Sequence, residues 1–211
     1  LNSVLGYAQI LRRSPEVGPN ARRSLDTIQR SGDHLLHLIN EVLDLAKVES
    51  GRMELNETSF ALGRFAQSIT ELFAVRAVEK GLAFTGPDPA TLATRVIGDE
   101  SRLRQVVVNL LGNAFKFTDQ GGIAWSLQAT NAGRWRIEVK DTGIGIAPTE
   151  QAKVFEAFYQ SSAAPALAQQ GTGLGLSISF RLVQLMGGQL ELESAVGAGS
   201  RFSFEIPLRV D

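Results

Sequence analysis

The sequence predicts an α+β protein, in which an N-terminal antiparallel helical hairpin precedes a two-layer α/β sandwich built on a mixed sheet. Two observations support this fold class. Residues 1–50 place apolar side chains at spacings of three and four, as helices do, and lack the alternation of strands. From about residue 53 onward, helical stretches are interleaved with segments in which apolar and polar residues alternate. We therefore expect two domains, residues 1–52 and residues 53–211.

Bulk composition limits the class of protein. The 211 residues, 44% of them hydrophobic, suit one large domain with a smaller appendage. A formal net charge of −1 argues against general nucleic-acid binding, and the lack of cysteine excludes disulfides and thiolate zinc sites. No apolar run approaches the roughly 20 residues of a membrane span, so we expect no membrane contact. The first residue is not methionine and already lies in a helical pattern, so we interpret the chain as part of a longer protein.

The hairpin is predicted from two helices and a turn. Residues 2–13 form the first helix, and the two prolines and one glycine of 14–20 form the turn. The second helix runs to about Ser50, with apolar or small residues at alternating spacings of three and four, namely Leu25, Ile28, Gly32, Leu35, Ile39, Val42 and Ala46. Further leucines widen this apolar face, which favours a four-helix bundle formed by two copies of the hairpin. Packing against the following domain is the alternative.

The second domain is predicted to mix helices and strands. Its helices are expected at residues 61–80, 101–117 and 174–186, and its clearest strands at 123–127, 135–139, 189–194 and 200–208. The segments 81–89 and 94–100 are each predicted to be a strand with a turn. The inner face of the first helix is predicted to contain Leu62, Phe65, Ile69, Leu72, Phe73 and Val75. That of the second is predicted to contain Leu103, Val106, Val107, Leu110, Leu111 and Ala114. Strand pairs that resemble hairpins indicate a mixed sheet with helices packed on one face.

The helix predicted at 101–117 carries a polar stripe opposite its core face. Its members are spaced by three or four residues, namely Arg102, Gln105, Asn109, Asn113 and Lys116. Exposed polar residues are common on helices, and this explanation suffices for Arg102 and Gln105. The two asparagines and the lysine instead suit a metal–phosphate group, because an amide oxygen ligates Mg²⁺ and a lysine neutralises phosphate.

Two glycine-rich stretches follow. DTGIGI starts at Asp141 after a predicted strand, and GTGLGL starts at Gly171 ahead of a predicted helix. Glycines at a helix N-terminus expose backbone N–H groups that suit phosphate. A carboxylate repels phosphate, so we predict that Asp141 accepts a hydrogen bond from the exocyclic amine of adenine, while its glycines let the ring lie against the backbone. Neither stretch is the phosphate loop G-x-x-x-x-G-K-[ST].

Four motifs, in this order, resemble those of sensor histidine kinase catalytic cores. DESRLRQVVVNLLGNAFKFT resembles the family's N box, DTGIGI its first glycine box, VFEAFYQ its F box and GTGLGL its second glycine box. SAVGAGSRFSFEIPL is similar to the closing strands, and SGDHLLHLINEVLDLAKVESGRMEL resembles the second helix of the dimerisation hairpin. The resemblance covers essentially the whole chain. It implies the Bergerat-type ATP-binding fold that gyrase, heat-shock chaperone and mismatch-repair ATPases share.

The resemblance also implies ATP or ADP with Mg²⁺ as cofactors and a role for each motif residue. Asn113 would bind Mg²⁺ and Lys116 the phosphates. Asp141 would bind the adenine amine, with Phe117 packed beside the nucleotide. The residues expected to line the base or the phosphates are Gly143, Gly145, Ile146, Gly171, Thr172, Gly173, Leu174 and Gly175. Asn109 stands where hydrolysing relatives carry a glutamate base, so we expect phosphoryl transfer to an acceptor rather than hydrolysis, with Asn109 and Lys116 as the catalytic residues.

The chain departs from the family pattern at two places. The family's phosphoacceptor histidine lies in a motif like H-E-x-R-T-P-L-N, and this chain begins at LN, so we expect the acceptor upstream of Leu1. The only histidines, His34 and His37, match no such motif, and no further ligands near them indicate a metal site. The stretch QSSAAPALAQQ at 160–170 lacks the basic residue that the family often places near the terminal phosphate.

By this resemblance, the chain would transfer the γ-phosphoryl group of ATP to a histidine, for relay to a response-regulator receiver domain. A homodimer through the hairpin and a cytoplasmic location are implied as well, with membrane anchoring of a longer protein left open. Two alternatives remain. One is a catalytically weak dimeric scaffold, favoured by the uncharged stretch 160–170. The other is a hydrolysing ATPase of the same superfamily, disfavoured by Asn109 and by the hairpin.

Overall fold

The computed structural model describes residues 1–13, 17–130, 133–161 and 171–211. The chain divides into two compact units, Leu1–Gly51 and Arg52–Asp211. The side chains of His34 and His37 lie outside the described part, as do most residues of the stretch 160–170. Of the helices that are described, none combines the length and the apolar character needed to cross a membrane.

The first unit is the predicted helical hairpin. Helix α1 covers Asn2–Arg13 and helix α2 covers Pro19–Glu49. Pro19 is the first residue of α2, where its missing N–H breaks no helical hydrogen bond. The two helices approach closely at Gly32, because a Cβ atom there would lie only 3.1 Å from Leu5 Cγ. A glycine in the apolar stripe of α2 therefore lets α1 pack against it.

The second unit contains helices and strands near the predicted positions. Its helices are α3 (Leu62–Lys80), α4 (Glu100–Phe117) and α5 (Gly175–Leu185). Its strands are β1 (Thr58–Ala61), β2 (Ala83–Thr85), β3 (Arg95–Gly98), β4 (Gly122–Ala129), β5 (Arg134–Asp141), β6 (Leu190–Ala195), β7 (Gly199–Pro207) and β8 (Arg209–Val210). Two short 3-10 turns lie at Pro89–Leu92 and Lys153–Phe155.

The main sheet has five strands in the order β2-β4-β5-β7-β6. Strands β2 and β4 are parallel and the other neighbours are antiparallel, which confirms the predicted mixed sheet. A second sheet of three short strands, in the order β1-β3-β8, is an addition to the predicted architecture. Its strands have two to four residues each, and no alternating pattern shows that such short strands pair with one another in a separate sheet.

The core lies between the helices and one face of the main sheet. Every residue predicted for the inner face of α4 is buried, as are the alternate residues of β4, β5 and β7, including Trp125, Ile137 and Phe204. The prediction for α3 is wrong at Leu72 and Val75, which are 58% and 62% exposed. This helix is apolar on two sides, and the side that faces the core uses the small Ala66 and Ala77 instead.

Candidate functional site

Helix α4 positions the predicted polar stripe. The carboxylate of Asp99 caps its N-terminus by accepting a hydrogen bond from Arg102 N at 3.0 Å. Asp99 also accepts a hydrogen bond from Asn56 N at 2.9 Å, which ties the start of α4 to the preceding chain. Farther along the stripe, Asn109 Nδ2 donates to Ser179 Oγ of α5 at 2.8 Å. The stripe therefore faces α5 along part of its length.

The C-terminal end of the stripe faces the second glycine-rich stretch. A Cβ atom on Gly171 would lie 2.9 Å from Lys116 Nζ, so the amine lies beside this backbone. Lys116 Nζ also lies 5.0 Å from the centre of the Phe117 ring. Lys116 is partly buried, and this burial lowers the pKa of its amine. Asn113 is partly buried, and its side-chain amide has no hydrogen-bond partner within the described part of the chain.

Asp141 is the last residue of β5, and the residue is buried, with 7% of its surface exposed. Its Oδ1 accepts hydrogen bonds from Gly143 N at 2.8 Å and from Ser200 N at 3.2 Å. Burial raises the pKa of this carboxyl group, and the two backbone hydrogen bonds oppose that shift. No described residue donates to Oδ2, so this oxygen is left to accept a hydrogen bond from a ligand.

The first glycine stretch lies between the end of α4 and the β6–β7 turn. A Cβ atom on Gly143 would lie 2.9 Å from the carbonyl carbon of Phe117, and Ile144 N donates to Phe117 O at 3.3 Å. Gly145 has a φ of +69°, and a Cβ atom on it would lie 2.7 Å from the carbonyl carbon of Ala195. The chain can pass between these two backbone segments only because both positions are glycine.

The last residue of this stretch, Ile146, is anchored through a serine of β6. Ile146 N donates to Ser194 Oγ at 2.8 Å, and Gln151 Nε2 donates to Ile146 O at 3.1 Å. Ser194 Oγ in turn donates to Gly199 O at 2.8 Å and lies 3.0 Å from Ser200 Oγ. Ile146 is therefore fixed by its backbone, and the same hydroxyl links it to the strand that holds Asp141.

The second glycine stretch packs against the segment VFEAFYQ. Phe158 has a φ of +65°, and its N–H donates to Gly173 O at 3.0 Å. A Cβ atom on Gly173, which has a φ of +74°, would lie 2.7 Å from the carbonyl carbon of Phe158. Gln160 Nε2 donates to Gly171 O at 2.8 Å. These contacts hold the glycine backbone in place next to Lys116.

Thr172 and Leu174 shape the approach to α5. Thr172 Oγ1 accepts a hydrogen bond from Leu174 N at 3.0 Å. The Leu174 side chain is 1% exposed, so it belongs to the core and offers only its backbone to a ligand. Gly175 begins α5, and its Cα lies against the amide of Asn109. The structure thus brings Asn109 to Gly175 and Lys116 to Gly171.

The donor set fits Mg²⁺ held jointly with phosphate. The described residues contain no group of three or more His, Cys, Asp or Glu side chains that would hold a metal by themselves. Mg²⁺ does not need such a cage, because it keeps several waters and shares its shell with phosphate oxygens. The unpaired amide of Asn113 supplies a hard oxygen donor on the same helix as Lys116.

Three residues of this site were not predicted, namely Ser194, Gly199 and Ser200. A Cβ atom on Gly199 would lie 2.8 Å from the carbonyl carbon of Asp141, so only glycine allows β7 to pass this close. Their role depends on the register of β7 against β5 and β6, which no local pattern encodes. The one signal in the sequence is Gly199 itself, a glycine between a turn and an alternating strand, which indicates a close approach of the backbone.

Two family models match the chain. Residues 98–210 match the histidine kinase-, DNA gyrase B- and HSP90-like ATPases, and residues 1–51 match the His Kinase A (phospho-acceptor) domain. The signal transduction histidine-protein kinase BarA of Escherichia coli K12 is 37% identical over 99% of this chain and 23% of its own length. The autoinducer 2 sensor kinase/phosphatase LuxQ of Vibrio cholerae is 35% identical over 100% of this chain and 25% of its own length. The chain thus spans about a quarter of these relatives.

Two solved structures are similar to the chain. Full-length ShkA in complex with AMPPNP has a TM-score of 0.83 and 36% identity, covering 100% of this chain and 43% of that one. The catalytic domain of the histidine kinase ThkA has a TM-score of 0.61 and 28% identity, covering 72% of this chain and 97% of that one. The chain therefore belongs to the family of histidine kinase-, DNA gyrase B- and HSP90-like ATPases, and its residues 1–51 form a His Kinase A (phospho-acceptor) domain.

Proposed function

We propose that this chain is the ATP-binding catalytic core of a two-component sensor histidine kinase. It would transfer the γ-phosphoryl group of ATP to a histidine for relay to a response-regulator receiver domain. The observation that carries the proposal is the convergence of three separate segments. The end of α4 meets the first glycine stretch at Phe117 and the second at Lys116, and a buried carboxylate lies beside the first.

The base would bind at Asp141. Its Oδ1 is occupied by two backbone N–H groups, and its Oδ2 suits the exocyclic amine of adenine. A carbonyl-bearing base such as guanine presents an acceptor there and would be repelled by the carboxylate. Gly143, Gly145 and Ile146 would line the base with backbone, while Phe117 would pack beside it.

The phosphates would bind between Lys116 and the second glycine stretch. Backbone groups of Gly171, Thr172 and Gly173 precede α5, where exposed N–H groups and the helix dipole favour negative charge. Lys116 supplies a positive charge beside Gly171. Asn113 would hold Mg²⁺, which when bound neutralises charge on the transferring phosphoryl group.

Asn109 favours transfer over hydrolysis. An amide accepts no proton from water, so this helix lacks a general base at the position where hydrolysing relatives carry glutamate. In the structure Asn109 instead donates a hydrogen bond to Ser179. The catalytic contribution of the chain would therefore come from positioning and from charge, with Lys116 as its main cation.

The first unit would form a four-helix bundle with a second copy. Many large apolar side chains of α1 and α2 are exposed in the single chain, among them Val4, Tyr7, Ile10, Leu11, Ile28, Leu35, Ile39, Val42 and Leu43. An exposed apolar surface of this extent usually marks an interface. Pairing two hairpins would bury it and place two catalytic units in one dimer.

ATP titration and phosphoryl transfer test the proposal in turn. Titration calorimetry of the chain with ATP should show binding that Mg²⁺ strengthens, and absence of binding would overturn the proposal. The full-length protein incubated with radiolabelled ATP should acquire acid-labile label. The 211-residue chain should acquire none on His34 or His37, because neither lies in an acceptor-like motif. Tight ATP binding without label on the full-length protein would favour the weak scaffold that the uncharged stretch 160–170 suggests.

A further inference from the structure

The amide of Asn109 is held between two residues of α5. Its Nδ2 donates to Ser179 Oγ at 2.8 Å, and Ser179 is a buried residue with 2% exposure. A Cβ atom on Gly175 would lie 2.9 Å from Asn109 Cγ and 3.1 Å from Nδ2, and closest of all to Oδ1. The amide group therefore lies against the bare Cα of Gly175, with its oxygen nearest to that residue.

A serine hydroxyl can both donate and accept, so the N-terminus of α5 at Gly175 and the Ser179 hydrogen bond together favour one of two possible orientations of the amide. An asparagine amide that is rotated by half a turn exchanges its donor and its acceptor. Here the donor end is bound to Ser179, and the oxygen lies at Gly175, the first residue of α5. A helix N-terminus carries a partial positive charge, which favours the oxygen over the NH₂ group at that place.

The orientation of the Asn109 amide matters because Lys116, another polar group of α4, lies along the same glycine stretch. Lys116 Nζ lies beside Gly171, and Asn109 Oδ1 lies beside Gly175. Two polar groups of α4 thus face the two ends of one glycine stretch, the first a cation and the second a neutral acceptor. An exchanged amide would replace that acceptor with a donor and change the charge pattern that a metal–phosphate group meets.

We propose that Ser179 is a positioning residue that fixes the Asn109 amide oxygen toward the metal–phosphate group, and that position 175 is glycine because the amide occupies the place of a side chain. The inference rests on the proposed nucleotide-binding function. Ser179 itself does not touch the nucleotide, and its effect passes through Asn109. A purely structural role as a clip between α4 and α5 is the alternative.

A matched pair of buried serines separates these roles. Ser177 lies two residues earlier in α5 and is 5% exposed. Its hydroxyl donates at 2.8 Å to the carbonyl oxygen of Leu174, the N-cap residue of the same helix. Ser179→Ala and Ser177→Ala each remove one buried hydroxyl from the same helix, but only the first removes a partner of Asn109. For each variant, the dissociation constant of ATP is measured without and with Mg²⁺. The constant without Mg²⁺ is divided by the constant with Mg²⁺, and this ratio is compared with that of the unmodified chain.

Ser179→Ala should reduce this ratio by about 3- to 10-fold, the effect of losing one oriented hydrogen bond, while Ser177→Ala leaves it within about twofold. Ser179→Cys replaces the hydroxyl with a slightly larger group that is a weaker acceptor, so it should reduce the ratio less than Ser179→Ala does. This variant provides the test if Ser179→Ala fails to fold. In an Asn109→Ala background, Ser179→Ala should change the ratio no further, because the group that it positions is gone.

Equal ratios for the two serine variants, with Ser179→Ala lowering only the melting temperature, would show a structural clip and overturn the inference. So would a further loss of the ratio in the Asn109→Ala background. If the unmodified chain bound no ATP at all, the proposed function would fail and this inference with it. ATP binding with an unchanged ratio in Ser179→Ala overturns this inference alone.

Discussion

The backbone N–H of Ser200 donates a hydrogen bond to Asp141 Oδ1 at 3.2 Å, although the two residues are 59 positions apart in the sequence. Together with the shorter bond from Gly143 N, it fixes the buried carboxylate in one orientation. If Asp141 binds the base as proposed, its other oxygen, Oδ2, would meet the ligand without any rearrangement of the chain. Preorganisation of this kind lowers the entropic cost of binding.

Asp141→Asn should weaken ATP binding by about 1–3 kcal/mol, because the amide replaces the Oδ2 acceptor with a donor that opposes the adenine amine. The new side chain has the same shape and keeps an oxygen for Gly143 N and Ser200 N. Titration calorimetry measures the change, and a thermal melt of the variant controls for folding. Unchanged ATP affinity in a folded variant would contradict the assignment of Asp141 to the base.

Acid pH should weaken nucleotide binding through the same carboxyl group. Burial raises the pKa of Asp141 above its ordinary value of 3.8, so protonation begins at a higher pH than for an exposed aspartate. ATP affinity should fall as the pH falls through that raised pKa, and the Asp141→Asn variant should lack this part of the pH dependence. A pH series of titrations on both proteins checks this, and identical profiles would contradict it.

Stability should respond to pH with the opposite sign. The folded pKa of Asp141 lies above the unfolded one, so the folded state binds the proton more tightly. The resulting stabilisation is complete below the unfolded pKa and is lost as the pH rises through the folded pKa. Urea unfolding should therefore show the unmodified chain gaining stability relative to Asp141→Asn as the pH is lowered across this window.

Gly171→Ala should weaken ATP binding more than it weakens adenosine binding. The new methyl group would lie 2.9 Å from Lys116 Nζ and displace this flexible amine, while the backbone φ at 171 suits alanine. Loss of one phosphate contact corresponds to roughly 1–3 kcal/mol. Gly112→Ala on α4 is the control, since nothing lies within 4 Å of its new Cβ atom. Equal losses for ATP and adenosine would place Lys116 away from the phosphates.

Gly145→Ala should destabilise the second unit more than Gly81→Ala does. Both positions have a left-handed φ, +69° and +66°, so both variants carry the same backbone strain. The two positions differ in the space around the new Cβ atom. At 145 it would lie 2.7 Å from the carbonyl carbon of Ala195, whereas at 81 nothing lies within 4 Å. Overpacking adds about 1–3 kcal/mol, which denaturant unfolding of the two variants measures. Equal losses would contradict the close approach.

Ile39→Asp should shift the chain from dimer to monomer. Ile39 is 43% exposed in the single chain, and a bundle of two hairpins would surround it with apolar side chains. An unpaired charge there costs several kcal/mol. Light scattering over a concentration series measures the change, with Asn40→Asp as a control that adds the same charge one residue farther on. A monomeric unmodified chain at high concentration would contradict the bundle.

Helix α4 was predictable because its local signals agree. An unbroken apolar pattern and a polar stripe specify the same helix and the same buried face, and in the structure Asp99 caps its N-terminus. Helix α3 was less predictable, since Leu72 and Val75 continue an apolar pattern on a side that the fold leaves exposed. Periodicity alone does not show which of two apolar sides meets the sheet.

The residues of the candidate site likewise separate into those that local sequence signals predicted and those that they missed. Asp141 and the two glycine stretches were predicted because each motif is contiguous in the sequence. Ser194, Ser200 and Ser179 were missed because their partners are brought to them by strand register and by helix packing. A serine in an alternating strand or in a helix carries no local sign that its hydroxyl or its N–H will bind a distant residue.

Strand β5 joins β7 only after the chain has passed through the second glycine stretch, α5 and β6. During synthesis, a nascent chain that has reached β5 already contains α4 and Asp141, yet it lacks the strand that supplies Ser200. Such a chain lacks the backbone N–H of Ser200 that binds Asp141 Oδ1, whereas the hairpin of α1 and α2 forms from neighbours in sequence. If Asp141 binds the base as proposed, nucleotide would bind only the finished sheet, and by mass action it would protect newly completed molecules from unfolding.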